Sequence, residues 1–410
     1  MIDMKKSVMR RYAKLIAKCG VNVQKGQEVE ILTQFDQPEF IRMLVEECYK
    51  LGAKKVIVDW TDQKTSKIHV KYRSLETMST MEKWEKARWQ HRVDTIPCRI
   101  YIESEDPDGF KGVDQNKMQK ANQKLYPIIR KYRDQLENKY QWCIAAVPGA
   151  EWAKKLFPEL SKSQAIEKLW EAILSTSRVT ENPIKAWDEH NKDLIQRCKY
   201  LNDLGIDELH YEASNGTDLT VGLMELSQFN GGGDTSLSGI YFNPNIPSEE
   251  CFTSPKRGRA EGIVYATKPL SFMGQLIENF WIRFKEGRAV EWHAEKNNDM
   301  LTKMIEMDDG SHYLGECALV PVDSPISNSG LLFYNTLFDE NAACHLALGL
   351  GFADCVKGFQ NKTLEECRAL GVNKSMIHVD FMIGCADMNI TAKTRDGKTV
   401  PIFRNGNWAF

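Results

Sequence analysis

The sequence predicts an α/β N-terminal domain with a mostly parallel sheet, followed by a β-rich α+β C-terminal domain. Over residues 1–205, short apolar strands alternate with amphipathic helices, which is the order that builds parallel sheets. Strand patterns and hairpin turns dominate residues 206–410 instead. A length of 410 residues fits two or three domains. We place the boundary at residue 205, where a helix ends at Gly205.

The first β-α-β unit lies at the N-terminus. Residues 4–19 carry an apolar helical stripe, after which Gly26 turns the chain into the apolar run 28–33. Pro38 then opens a helix as its first-turn proline, and the β-branched strand 55–59 follows. The alternation continues through a strand at 99–103, a helix at 120–139, a strand at 142–147, a helix around 166–174 and a last helix at 184–204.

The C-terminal half shows strand patterns separated by turn signals. Asp396-Gly397 between two strand patterns is a strong hairpin signal, and Glu286-Gly287 is a plausible second one. One helix is predicted to interrupt this half, over residues 339–356. The strands are predicted at 208–213, 218–223, 261–268, 276–284, 289–292, 390–394 and 399–403.

Composition and charge exclude several classes of protein. The 54 basic side chains nearly balance the 56 acidic ones, and the net charge of −2 argues against nucleic acid or an anionic membrane surface as a partner. No apolar run approaches the roughly 18 residues that span a bilayer, and cations interrupt the region where a signal peptide needs its apolar stretch. The 11 cysteines include no C-x-x-C pair, so we expect buried free thiols and a cytoplasmic protein.

Several common catalytic motifs are absent from the sequence. There is no G-x-x-x-x-G-K-[ST] phosphate loop, no H-E-x-x-H zinc helix and no G-x-S-x-G nucleophile elbow. Gly349 and Gly351 begin a glycine pattern, but Asp354 stands where a dinucleotide fingerprint needs its third glycine.

Two histidines of the C-terminal half lie in apolar segments with carboxylates nearby. On a strand, His378 and Asp380 would point to the same face, either as metal ligands or as an exposed or hydrogen-bonded polar pair on an edge strand. His345 lies on the predicted helix among alanines and leucines, so it is expected to be buried and to need a partner. Taken alone, His345 is more simply explained as a satisfied core histidine.

Two carboxylates enter apolar strands of the same half. Glu316 precedes the run 317–322 and Glu250 precedes Cys251-Phe252, and a buried carboxylate is costly unless it is paired or bound to a metal. With the histidines they form a mixed nitrogen and oxygen ligand set that suits zinc, cobalt or manganese. Two adjacent divalent ions, which support hydrolysis, need about six protein ligands. The candidates are Glu250, Glu316, His345, His378, Asp380 and, as a possible sixth, Glu340.

Seven blocks of sequence, in a fixed order, carry a resemblance to a known family. They are GVNVQKGQ (20–27), GTDLTVGL (216–223), NIPSEECFTSP (245–255), KPL (268–270), LGECALVP (314–321), FDENAACHLALG (338–349) and HVDFMIG (378–384). Over nearly its whole length the chain resembles the thermophilic metallo-aminopeptidases, the family of aminopeptidase T and aminopeptidase S.

This resemblance implies a two-domain, dimeric exopeptidase that releases N-terminal amino acids with two cocatalytic divalent ions. A dimer that encloses the site would favour short peptides over folded proteins as substrates. Residues 1–205, which carry no catalytic motif, would serve scaffolding, dimerisation or access control. We choose Glu316 as the bridging or base-like carboxylate. The metal ligands that the resemblance implies are Glu250, Glu316, His345, His378 and Asp380, and Glu340 matches the same block as His345.

One position departs from the family pattern. The family places a tyrosine seven residues after the histidine that corresponds to His345, and here that position is Phe352. A phenyl ring cannot donate a hydrogen bond, and losing such a donor costs roughly 10²–10³ in turnover where it matters. Tyr313 is a candidate substitute by sequence proximity only. Arg257 and Arg259 could hold a substrate carboxylate, although a solvated turn is the interpretation we favour.

Three hypotheses follow from these observations. The first is a metallo-aminopeptidase with a water nucleophile. The second is a metal-binding or peptide-binding protein with impaired catalysis, motivated by Phe352. The third is a two-metal hydrolase of amides other than peptides. Turnover of unblocked peptides separates the first hypothesis from the other two.

Overall fold

The computed structural model describes residues 2–410, and their side chains from residue 6 onward. The chain forms two compact units. The first comprises the chain up to Glu189 together with Gly233–Pro247, and the second comprises His190–Gly232 together with Ser248–Phe410.

The helix Pro183–Asp203 crosses from one unit to the other. Its C-terminal part contributes Leu194, Cys198 and Leu201 to the hydrophobic core of the second unit. The units therefore separate within this helix, ahead of the predicted boundary at residue 205.

A parallel four-stranded sheet forms the centre of the first unit, as the alternation of strands and helices predicts. Its inner strand Glu28–Gln34 is almost entirely buried, as expected in the middle of a parallel sheet. In spatial order the strands are Lys55–Thr61, Glu28–Gln34, Cys98–Glu103 and Trp142–Ala146. A two-stranded ribbon, Asp234–Thr235 with Tyr241–Phe242, comes from the later segment of this unit.

Helices of the first unit begin where the sequence supplies caps. Pro38 occupies the first turn of its helix, and Ser161 with Gln164 forms a capping box. The helices are Ile2–Leu15, extended by the π-helical turn Ile16–Gly20, and Pro38–Lys50, Gln63–Tyr72, Leu75–Met78, Lys83–Thr95, Gln115–Leu136, Ala150–Leu156 and Lys162–Thr176. Across residues 2–410, no helix has the length and apolar character needed to cross a membrane.

A nine-stranded antiparallel sheet dominates the second unit. The predicted hairpins at Glu286-Gly287 and Asp396-Gly397 are confirmed, because the strands on either side of each turn pair directly. In spatial order the strands are Leu270–Phe272, Gln275–Lys285, Pro255–Tyr265, Asp218–Leu223, Ile206–Glu212, Asn389–Thr394, Thr399–Arg404 and Asn407–Trp408, with Arg288–Lys296 pairing on Gln275–Lys285.

Short helices connect the strands of this unit. They are the α-helices Asn298–Ile305, Pro325–Asn328, Thr336–Asp339 and Leu364–Leu370, and the 3₁₀ turns Gly310–His312, Glu340–Ala342, Ala353–Cys355 and Phe359–Asn361.

Four further strands form a second antiparallel sheet in this unit, which we call the site sheet. In spatial order they are Cys251–Thr253, Leu314–Leu319, His345–Gly349 and His378–Met382. Cys317, Leu346, Leu348 and Phe381 lie in the core of the unit. Because side chains alternate between the two faces of a strand, the residues between these four point to the opposite face.

The predicted helix over residues 339–356 is wrong. The chain there forms a short helix that ends at Asp339, a 3₁₀ turn over Glu340–Ala342 and the strand His345–Gly349, all five residues of which are buried. The strand is flanked on both sides by other strands of the site sheet, so both of its faces and both of its edges are covered. A short run that is apolar throughout has no periodicity to distinguish strand from helix.

Candidate metal centre

The candidate ligands lie on the face of the site sheet that points away from the core. Glu316 pairs with Ala347 on the neighbouring strand, and Ala347 pairs with Asp380 on the next, so these three side chains share one face. His345 and His378 each lie two residues from a member of this row and therefore share that face too. The sheet brings together residues that are far apart in sequence.

The first group of side chains surrounds His345. Its Nε2 lies 3.2 Å from Glu250 Oε2 and 3.9 Å from Glu316 Oε1. All three residues are buried, and one candidate ligand atom from each lies within 4.8 Å of the others. The predicted burial of His345 is confirmed, and its partners are the carboxylates named as candidate ligands.

The second group surrounds His378. Its Nε2 lies 3.0 Å from Glu316 Oε2 and 3.2 Å from Asp380 Oδ1. Glu316 is therefore common to both groups, with one oxygen towards each histidine. His378 and Asp380 lie on an edge strand of the site sheet, and Asp380 is 7 % exposed, so the pair is not an exposed surface pair.

Backbone carbonyls orient both imidazoles. His378 Nδ1 lies 2.7 Å from the carbonyl oxygen of Leu350, and His345 Nδ1 lies 3.3 Å from that of Ala343. A carbonyl can only accept, so each Nδ1 carries a proton and donates it. In a neutral imidazole this leaves an unprotonated Nε2 facing carboxylate oxygens, which is favourable only with a cation or a further proton between them.

The pKa shifts of the site residues also indicate that positive charge is favourable between the imidazoles and the carboxylates. Burial raises the pKa of Glu316 to about 7 despite its hydrogen bond to His378. Burial opposes a charge on His345, but the hydrogen bond and charge of Glu250 raise its pKa to about 10. The pKa of His378 is also raised, against the effect of burial, mainly by Asp380, while His378 lowers the pKa of Asp380. The buried carboxylates therefore favour positive charge beside them.

Glu340 lies close to both groups although it is outside the site sheet. It is buried in the 3₁₀ turn that precedes the histidine strand. Burial, reinforced by the charges of Asp380 and Glu250, raises its pKa well above the usual range, and His345 acts in the opposite direction. The structure thus places the possible sixth ligand within electrostatic reach of four of the other five, namely Glu250, Glu316, His345 and Asp380.

These donors fit divalent metal ions. Two ligand atoms that each lie 2.0–2.2 Å from a tetrahedral ion are separated by about 3.3–3.6 Å, and the four separations above span 3.0–3.9 Å. In addition, Asp380 Oδ1 is buried and has no well-directed hydrogen-bond donor among the described residues, although His378 Nε2 lies 3.2 Å away. A buried carboxylate oxygen without a donor is well suited to a cation.

Phe352 lies at the site, as its place after His345 suggests. Its ring centroid is 4.7 Å from that of His378, and the ring packs edge-on against Phe252 at 5.9 Å. The backbone amide of Phe352 donates to Ser254 Oγ at 2.8 Å. The ring therefore borders one histidine of the site without offering a hydroxyl group.

Arginine side chains pack around Tyr313, the candidate substitute for the tyrosine that the family has at position 352. The guanidinium carbons of Arg257 and Arg288 lie 4.3 Å and 5.7 Å from the centre of its ring. Arg257 pairs with Asp309. These contacts give no support to a role for Tyr313 beside the metal ligands.

Both arginines considered for substrate binding are paired with carboxylates of the protein. In addition to the pair formed by Arg257, Arg259 forms a two-pronged pair with Asp207, at 2.9 Å and 3.1 Å. Both arginines lie on the strand Pro255–Tyr265 and not in the solvated turn that we favoured. Their carboxylate partners nevertheless favour a structural role over substrate binding.

The sequence contains no motif that identifies Ala347, or the backbone carbonyls that orient the two histidines, as part of the site. Ala347 would have been found if residues 345–349 had been assigned as a strand, because alternation places it on the face of His345. The carbonyls of Ala343 and Leu350 leave no signal in the sequence, since every residue carries a carbonyl.

The fold and this buried ligand set are those of a metal-dependent hydrolase. The chain belongs to the thermophilic metalloprotease family (M29), whose model matches residues 5–408. The predicted family is thus confirmed, and the family implies divalent metal cofactors.

Relatives match over the full length of the chain. It is 43 % identical to aminopeptidase AmpS of Bacillus subtilis and 36 % identical to aminopeptidase T of Thermus aquaticus, in each case over 98 % of both chains. The structure of wild-type AmpT from Thermus thermophilus superposes with a TM-score of 0.89 at 34 % identity, covering 99 % of this chain and 100 % of that one. A 2,5-dihydroxypyridine dioxygenase from Pseudomonas putida, at a TM-score of 0.52 and 12 % identity, shares the fold alone.

Proposed function

We infer that this protein is a metal-dependent aminopeptidase that releases N-terminal amino acids from short peptides, with water as the nucleophile and two divalent ions as cofactors. The observation that carries the two-ion detail is the position of Glu316, whose two oxygens face the Nε2 atoms of His345 and His378. The full-length relatives named above as aminopeptidases support the reaction.

Each candidate ligand has a place in this proposal. Glu250 and His345 would hold one ion, with Glu340 as the further carboxylate, whereas His378 and Asp380 would hold the other. Glu316 would serve both ions, because each of its oxygens faces a different histidine. When bound, such a pair of ions lowers the pKa of a shared water and polarises the substrate carbonyl.

The protein itself positions the ligands and excludes bulk water. The carbonyls of Ala343 and Leu350 hold the imidazoles with Nε2 towards the carboxylates, which also makes the imidazoles better ligands. Because Glu250, Glu316 and His345 are buried, few water molecules compete with them for the ions. The nitrogen and oxygen ligand set suits zinc, cobalt or manganese.

We also propose a cytoplasmic homodimer. All 11 cysteines are unpaired thiols, which suits a reducing compartment. The first unit exposes large aromatic side chains, including Phe35 (73 %), Tyr72 (74 %) and Trp84 (66 %), and exposed apolar groups of this size are typical of interaction surfaces. Light scattering after size exclusion would show twice the mass of one chain, and a monomer at micromolar concentration would contradict the dimer.

The aminopeptidase proposal is tested by stripping the protein of metal and adding back zinc, cobalt or manganese. Free amino acids released from short peptides, with and without a blocked N-terminus, are then measured. We expect metal-dependent release of one residue at a time from unblocked peptides only. Glu316→Ala and His378→Ala should abolish release. His210→Ala is the matched control, because His210 pairs with the carboxylate of Asp218 on the exposed face of the large sheet.

Two outcomes of this experiment would overturn the proposal. Full activity of both Glu316→Ala and His378→Ala would show that the metal site takes no part in the reaction. Cleavage of non-peptide amides with none of peptides would establish the third hypothesis instead.

Impaired catalysis is the second candidate function, and the contact between Phe352 and His378 is the observation that favours it. In that case the protein would bind metal and peptide without appreciable release of amino acids. Turnover at ordinary aminopeptidase rates would eliminate this candidate and show that the phenyl ring is tolerated.

A further inference from the structure

We propose that Asn341 is a positioning residue of the metal site, whose buried side-chain amide ties the segment that carries Glu250 to the turn that carries Glu340. This inference rests on the proposed metal function. The oxygen and nitrogen of the Asn341 amide are engaged by other groups of the protein, so it would act through the carboxylates of Glu250 and Glu340.

The side chain of Asn341 makes three hydrogen bonds while its exposure is 0 %. Its Oδ1 accepts from the backbone N–H of Glu249 at 2.7 Å. Its Nδ2 donates to the carbonyl of Leu337 at 2.9 Å and to Glu340 Oε1 at 3.3 Å. One amide group thus contacts two separate segments and one candidate ligand.

The orientation of this amide is fixed by its partners. The N–H of Glu249 can only donate and the carbonyl of Leu337 can only accept, so the oxygen and nitrogen of Asn341 cannot be exchanged. The second N–H of the amide therefore points to the carboxylate of Glu340. This contact holds the carboxylate of Glu340 in one position relative to the amide.

The oxygen of the Asn341 amide contacts the segment that carries Glu250. Glu249 directly precedes Glu250, so the hydrogen bond to its backbone fixes where the chain enters the short strand Cys251–Thr253. Because the amide is fully buried, water cannot replace a lost partner, and each broken hydrogen bond leaves an unsatisfied polar group. Asn341 thereby couples the positions of Glu250 and Glu340.

The test is the affinity of metal-free protein for Co²⁺, followed by the visible absorption of the bound ion and by equilibrium dialysis. Asn341→Asp keeps the acceptor for Glu249 but loses the donor to Glu340 and places a carboxylate beside it. We expect 10–100-fold weaker binding of one equivalent of Co²⁺, the usual effect of removing an outer-shell partner, and an altered absorption spectrum. Asn341→Ala removes the amide without adding charge and should weaken binding in the same range.

The matched control is Gln34→Glu. Gln34 is a buried amide of the first unit that donates to Glu105 Oε1 at 2.9 Å, so the variant also loses a hydrogen bond to a carboxylate and places a second carboxylate beside it. Because Gln34 is far from the candidate ligands in sequence, this variant should bind Co²⁺ like the unmodified protein. Unchanged affinity and spectrum in both Asn341 variants would overturn the inference. So would failure of both to fold, which would assign Asn341 to stability. Absence of Co²⁺ binding by the unmodified protein would instead refute the proposed metal function.

Discussion

Ala347 lies between the two halves of the candidate metal centre, and enlarging its side chain should exclude metal. Its partners across the sheet are Glu316 on one side and Asp380 on the other, and the residue is fully buried. Side chains directly opposite each other in an antiparallel pair have Cβ atoms about 4.5–5.5 Å apart. The methyl group of Ala347 therefore lies on the sheet surface between the two carboxylates.

The geometry around His378 sets the size of the expected effect. Its Nε2 lies 3.0 Å and 3.2 Å from oxygens of Glu316 and Asp380, so an ion bound by all three atoms has no room for an additional carbon. A leucine at this position extends about 2.5 Å beyond Cβ, and a carboxylate displaced by about 1 Å no longer reaches the 2.0–2.2 Å of a ligand bond. We expect Ala347→Leu to weaken metal binding at least about 100-fold, equal to about 2.8 kcal/mol.

Overpacking also lowers stability, so the assay must separate the two effects. An added side chain in a packed core costs about 1–3 kcal/mol. Ala392→Leu is the matched control, because Ala392 is a fully buried alanine on a strand of the large sheet, between Leu209 and Val400. Co²⁺ titration of folded protein, with urea unfolding of both variants, would show comparable loss of stability but loss of metal binding in Ala347→Leu alone. Unchanged affinity in Ala347→Leu would refute the placement of the ions over this residue.

Three further predictions follow from the same geometry. In the proposed site the two histidines serve different ions, so His345→Ala and His378→Ala should each reduce bound metal by about one equivalent, measured by elemental analysis after dialysis. Loss of both ions in either variant would argue against separate sites. Phe352→Tyr should raise turnover by roughly 10²–10³ if the missing hydroxyl limits the reaction, with metal affinity unchanged, and equal rates would show that the phenyl ring is compensated. Chelation should lower the thermal unfolding midpoint, because removal of the ions leaves buried carboxylates close together, and identical midpoints in scanning calorimetry would contradict this.

Sequence patterns predicted most of the fold because they depend on interactions between residues that are close together in the chain. The strands at 28–33 and 55–59 and the hairpin at Asp396-Gly397 depend on residues that are neighbours in sequence, and all three are present in the structure. The helix predicted over 339–356 failed for a different reason. Its middle becomes a strand only because partner strands cover both of its edges, and no signal for that pairing exists within the segment.

The candidate ligands could be named from the sequence, but not their division between two ions. A carboxylate in an apolar strand is unusual enough to be noticed wherever it occurs, which is why Glu316 stood out from its surroundings alone. Its position between the two histidines depends on the register that sets it opposite Ala347, with His345 and His378 on the same face. That register is stabilised by the core on the reverse side of the sheet, since a slip of one residue would turn Glu316 into the core and Cys317 out of it. The same hydrophobic packing that fixes the sheet thus fixes the position of Glu316 between His345 and His378.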